Sequence, residues 1–152
     1  MNARDPVLAG ASARERFDRW TAAIAAALAP GERYAANYAG EATDFVRLNR
    51  GKVRQAGCVE QHALSIRLVT GARHAEYTLA LGGGPAEDRD AIEAAVGRLR
   101  SLVAVVDDDP HLLMPDAVRD TERESGSALP AAADVVDEVL AAAHGLDLVG
   151  FY

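Results

Sequence analysis

Residues 44–81, "DFVRLNRGKVRQAGCVEQHALSIRLVTGARHAEYTLAL", decide the fold. Their apolar side chains recur at every second position, the period of a half-buried strand. Val46 and Leu48 fall on one side, with Phe45, Arg47 and Asn49 on the other, and Val53 returns in phase. Leu64, Ile66 and Leu68 then alternate with Ser65 and Arg67, and Tyr77, Leu79 and Leu81 continue the pattern. Gly51 in "NRGK" and Gly71 in "TGAR" supply the positive φ of tight hairpin turns, while Gly57 marks a candidate bulge. Links this short exclude helical crossovers, so neighbouring strands run antiparallel. One apolar face per strand requires cover on that side alone.

Working outward, "RYAANYAG" at 33–40 is a further strand, alternating Tyr34, Ala36 and Tyr38 against Arg33, Ala35 and Asn37. Ahead of it, Ser12 and Glu15 have the spacing of a capping box. Phe17, Trp20, Ile24 and Leu28 then line one helical face until Pro30 and Gly31 stop it, and Trp20 is read as a core anchor. After the strands, residues 85–106 place acids in the first helical turn, where the dipole favours them, and bury Ile92, Val96, Leu99, Val103 and Val106. Residues 111–130 are polar and broken by proline and glycine, hence mostly loop. A last helix follows, with Pro130 at its start, Val135, Val139 and Leu140 buried, and Gly145 as its C-cap. "LDLVGFY" at 146–152 opens another strand. The expected fold is α+β: an antiparallel sheet of about five strands with amphipathic helices on one face, in a single domain. Residues 1–12 are expected to be a flexible lead-in and 13–152 the folded part.

Composition narrows the function. The chain has 152 residues, a formal net charge of −7 and a single lysine, Lys52. Nucleic-acid binding rests on phosphate neutralisation by Lys and Arg, so no nucleic-acid partner is expected. Cys58 is the lone cysteine, which excludes an internal disulfide and a cysteine-built metal cluster and fits a reducing cytoplasm. No segment has the apolar run of a signal peptide or of a membrane span, so the expected location is cytoplasmic, with no membrane partner.

Catalytic patterns are missing from the sequence. His62, His74, His111 and His144 have no second histidine at ligand spacing, and His62 and His74 differ in strand phase, so all are read as solvent-facing or strand-end residues. The acids 107–109 lack the glycine-punctuated spacing of a calcium loop. "LGGGP" at 81–85 lacks the residues of a phosphate loop, and Glu87, Asp88 and Asp90 would repel phosphate there. Ser65 has no nucleophile-elbow context, and Cys58 has no local activating partner. No catalytic residue, metal ligand or cofactor is assigned within this chain.

The order of elements, together with "FVRLNRGKVRQAG", "LSIRLVTGARHAEYTLAL" and the closing "GLDLVGFY", resembles the N-terminal domain of the TldD/PmbA family, the putative modulators of DNA gyrase that behave as metallopeptidases. The resemblance runs from about Arg14 to Tyr152. It implies an α+β domain joined to a large, mostly β C-terminal domain, where hydrolytic members hold zinc on an H-E-x-x-x-H helix and a further cysteine. No such motif occurs in these residues, so zinc is implied only for the C-terminal domain. Where many relatives have another glycine after the Gly–Arg hairpin, this chain has "HAEY". A chain ending on Phe151 and Tyr152 is expected to be the front of a two-domain protein, since a terminal hydrophobic strand leaves backbone groups and aromatic surface seeking partners.

Two functions follow as expectations. In the first, this is the non-catalytic domain of a peptidase, shaping the substrate channel and the subunit interface. Its partners are then its own C-terminal domain or a second family subunit in a dimer, and a peptide substrate. The outward row Arg47, Asn49, Arg67 and Arg73 is the expected substrate contact, against the simpler reading of a solvated sheet face. In the second, it is a stand-alone or metal-free binding and assembly module with no peptidase role.

Overall fold

A computed structural model describes residues 12–82, 84–115, 117–123, 125 and 129–152. Most of the expected lead-in, residues 1–11, lies outside them. The elements are α1 (Ala13–Ala27), β1 (Glu32–Asn49), β2 (Lys52–Thr70), β3 (Arg73–Ala80), α2 (Pro85–Val103), α3 (Ala132–Ala142) and β4 (Gly150–Phe151). The protein is α+β, and its four strands form one sheet in the order β3-β2-β1-β4.

The strand count is slightly lower than expected because the segments before and after "GEAT", and those flanking "CVEQ", run on as single strands of 18 and 19 residues. Neither strand contains proline, and neither Gly40 nor Gly57 takes a positive φ. Arg50 and Gly51, at φ 52° and 64°, form the two-residue turn between β1 and β2. Positive φ at both positions is the type I′ pattern that suits strand twist. Gly71, at φ 60°, starts the equally short turn into β3. There Thr70 pairs with Arg73 and the antiparallel register continues to Ala63 opposite Ala80.

The chain divides into two compact units that share the long hairpin. One takes its described residues from 12–41 and 61–115, the other from 42–60 and 117–152. Residues 39–44 of β1 and 58–61 of β2, around the division, are all exposed.

In the first unit, α1 and α2 cover the apolar face of β1, β2 and β3. Leu64, Ile66, Leu68, Ile24, Ile92, Val96 and Leu99 have no solvent exposure. Half-buried Tyr34, Ala36, Tyr38, Ala75, Tyr77 and Leu79 complete that core with the alternation expected of them. Full burial of such side chains contributes about 1.5–3 kcal/mol each. Helix α1 begins at the expected capping box: Ser12 Oγ accepts from Glu15 N at 3.2 Å, and Glu15 accepts from Ser12 N at 2.6 Å. That backbone hydrogen bond holds the Glu15 carboxyl below its ordinary pKa. Helix α2 stops at Val103, so Val106 lies beyond it and is only half-buried.

In the second unit, Val46 and Leu48 are buried, whereas Val53, expected in phase with them, is 45% exposed. Strand β4 closes antiparallel on β1, with Arg47 opposite Phe151 and Leu48 opposite Gly150. Val46 and Tyr152 exchange backbone hydrogen bonds of 2.8 and 2.9 Å. Helix α3 starts two residues after Pro130, and its valines and leucine are half-buried. Between α2 and α3 the described residues contain no helix or strand.

Candidate functional site

The four residues expected to face a substrate fall in different units. Arg67 and Arg73 belong to the first and already have acidic partners. Arg67 Nε and Nη2 donate to Glu76 Oε2 at 3.1 and 2.9 Å, across a directly paired strand position. Arg73 Nε donates to Asp108 Oδ1 at 2.6 Å, and that carboxylate pushes the guanidinium pKa further up. Arg47 and Asn49 belong to the second unit. Arg47 is exposed, and Asn49 lines a shallow, solvent-open depression of about 490 Å³ with Arg50, Lys52, Val53 and Arg54.

A polar cluster not foreseen from the sequence lies in the first unit, where α1, the sheet and the start of α2 meet. Trp20, 3% exposed, donates its indole N–H to Asp88 Oδ2 at 3.0 Å. Asp88 Oδ1 accepts from Gly82 N at 2.9 Å, tying the β3–α2 connection to the helix. The acid read only as a first-turn charge favoured by the helix dipole is therefore buried and bound. Trp20 also meets the Tyr38 ring edge-on, 5.2 Å between centroids at 82°. Tyr38 Oη lies 2.8 Å from His62 Nδ1, and the other ring nitrogen of His62 faces Arg16 Nη1. A guanidinium only donates, so His62 Nε2 accepts from Arg16 and its ring proton sits on Nδ1, donating to Tyr38. Both nitrogens are occupied by protein groups. The arrangement secures α1 against the sheet. Its sequence signal was phase: His62 shares the parity of Leu64, the mark of an inward-facing residue.

Other nucleophiles and ligands are similarly placed. The exposed Cys58 thiol is hydrogen-bonded to Asp44, which pushes its pKa up and keeps it protonated, the opposite of an activated thiolate. His74 Nε2 lies 3.1 Å from Asp109 Oδ2, and His111 N donates to Asp109 Oδ1 at 2.8 Å; these bonds hold the Asp109 carboxyl below its usual range. Among the described residues no three His, Cys, Asp or Glu side chains are grouped to hold a metal ion.

No family model and no curated protein matches this chain. Its site must be read from its own residues. Of the surfaces described, the β1–β2 turn region is the one where polar side chains surround an open depression without being tied to one another.

Proposed function

We propose that this chain is the non-catalytic N-terminal domain of a TldD/PmbA-like metallopeptidase, active in the cytoplasm, where it shapes the substrate channel and the subunit interface. The observation that carries the proposal is the order of elements. A capped amphipathic helix, a long antiparallel hairpin, a Gly–Arg turn into a third strand, two more helices and a short closing strand follow one another as the resemblance implies. The hydrolytic zinc site belongs, on this proposal, to a C-terminal domain supplied by the same gene or by a partner subunit. Arg47 and Asn49 are its nearest candidates for substrate contact, since Arg67 and Arg73 are paired internally.

Reading the gene beyond the Tyr152 codon for an H-E-x-x-x-H run and a later cysteine is the first test. The second is to assay zinc-dependent cleavage of an unfolded peptide by this chain, alone and fused to that downstream segment. Cleavage by the fusion only is expected. A fusion inactive even with a family partner subunit, or cleavage by this chain unaided, would overturn the proposal, and the former would favour a metal-free assembly module.

A further inference from the structure

From Phe45 to Val59 the chain has four cations, Arg47, Arg50, Lys52 and Arg54, and no carboxylate. The formal charge of the whole is −7, so the residues outside this group carry −11 between them. The tip of this hairpin thus carries a local net charge of +4 in an acidic chain.

The structure keeps these charges unmatched. Arg67, Arg73, Arg89 and Arg100 each pair with a carboxylate. Arg47, Arg50, Lys52 and Arg54 make no ion pair and no side-chain hydrogen bond among the described residues. Asp147 lies on the segment that packs on the turn, where Gly51 N donates to Leu148 O at 3.1 Å, yet it forms no ion pair with any of the four.

The turn gives three of them, Arg47, Lys52 and Arg54, a common direction, with Arg50 in the turn itself. A two-residue loop sets Asn49 opposite Lys52, and strand alternation then puts Arg47 and Arg54 on the same face. Val46 and Leu48 occupy the other face and are buried. Like charges facing one another across strands are destabilising unless an anion lies between them. The depression beside them is lined by Asn49, three cations and Val53.

We infer that this hairpin face is a docking site for an acidic polypeptide segment bound in extended form. Same-face side chains of an extended peptide recur about every 6.6 Å, the separation of Lys52 and Arg54 along β2, so alternate Asp or Glu carboxylates meet that ammonium and that guanidinium, with Arg47 across the ladder. A short segment stays within roughly 8–10 Å of the tip, the range over which charges act at ordinary salt. Nucleic-acid affinity grows with the number of phosphates neutralised, and four cations in a chain of net charge −7 supply few. The inference shares Arg47 and Asn49 with the peptidase proposal but concerns binding alone and requires no peptidase activity.

The test is fluorescence anisotropy on the full chain with three labelled probes: a ten-residue peptide alternating Glu and Ser, the same peptide with Gln for Glu, and an oligothymidylate of equal length. The acidic peptide is expected to bind at least tenfold more tightly than the Gln peptide and the oligonucleotide. Its affinity should fall at least tenfold in the double variant Arg47→Ala/Arg54→Ala, fall steeply between 50 and 300 mM salt (about one Debye length of added screening), and be unchanged in Arg67→Ala. Removing a facing like-charge pair should not lower the melting temperature, which separates lost contacts from lost fold. Equal binding of the Glu and Gln peptides, no binding of either, or full affinity in the double variant would each overturn the inference. Tighter binding of the oligonucleotide would overturn it in favour of a nucleic-acid face. Acidic-peptide binding by a chain whose fusion lacks peptidase activity would leave this inference standing and remove the earlier one.

Discussion

Arg100, in the last turn of α2, donates from Nε and Nη2 to the two carboxylate oxygens of Glu32 at 2.6 and 2.8 Å. The same guanidinium donates to Ala27 O at 2.9 Å, and Glu32 accepts from Ala29 N at 2.7 Å. One side-chain pair therefore joins the end of α1, the start of β1 and the end of α2. The Glu32 side chain is only 6% exposed, so this pair is unlike the exposed Arg67–Glu76 bridge. Two-pronged, charge-assisted bonds to a shielded carboxylate are among the stronger side-chain interactions.

The sign of its pH dependence follows from the Glu32 carboxyl, which Arg100 holds below its ordinary pKa. Folding thus favours the ionised form. The stabilisation is complete above the ordinary carboxylate value, about 4.3, and is lost as pH falls through the lower folded value. Glu32→Gln is expected to destabilise the protein by about 1.5–3 kcal/mol at pH 7. Melting curves of both proteins from pH 7 to pH 3 check this. The gap between them should narrow only in the acid limb, and a gap constant across the range would show that the pair contributes through packing alone.

Trp20 and Asp88 offer a second measurement. Replacing Asp88 with Ala strands the buried Trp20 indole N–H at a cost of about 1–3 kcal/mol, while the exposed Gly82 amide turns to water. Asp88→Asn retains a carbonyl oxygen and should lose roughly half of that. Trp20 is the only tryptophan, so its emission reports the site directly. A red shift in the Ala variant and a smaller one in the Asn variant are expected at temperatures where both remain folded.

The fold was largely legible in the sequence because period-two alternation and glycine turns are local signals. Tyr34, Tyr38, Leu64, Ile66 and Leu68 face where their parity put them, and Gly51 and Gly71 sit at the turns. What was not legible depended on partners distant in the chain. Asp88 was read only as a first-turn acid, and its donor Trp20 lies 68 residues away. Arg67 and Arg73 looked free because Glu76 and Asp108 reach them only through strand register and loop return. Arg47 kept its expected exposure, while Lys52 and Arg54 were passed over because their unpaired state appears only when every other ion pair has been placed.

Gly97 lies within α2, and a Cβ added there would meet nothing within 4 Å. Glycine in a helix interior is about 0.8–1 kcal/mol less favourable than alanine. Gly97→Ala should therefore raise stability by about that amount. Chemical denaturation should show a higher midpoint with an unchanged slope. A lower midpoint would mean that α2 requires close approach of something at this position in the working protein.

Gly57 makes the opposite prediction for the second unit. Its φ is not in the left-handed region, so alanine is not excluded by backbone strain. A Cβ there, however, would fall 2.8 Å from both Cε1 and Cζ of Phe45. That ring also stacks on Phe151, 5.9 Å between centroids and 12° from parallel. Gly57→Ala must push the Phe45 ring aside and with it the contact that helps hold the two-residue strand β4 to β1. Such overpacking costs about 1–3 kcal/mol. Since the Gly57 contact is confined to residues of the second unit, amide exchange should quicken at Val46 and Tyr152 while Leu64, Ile66 and Leu68 keep their protection. Uniform loss of protection in both groups would show that the two units unfold together, and unchanged exchange at Val46 and Tyr152 would show that the aromatic stack does not secure β4.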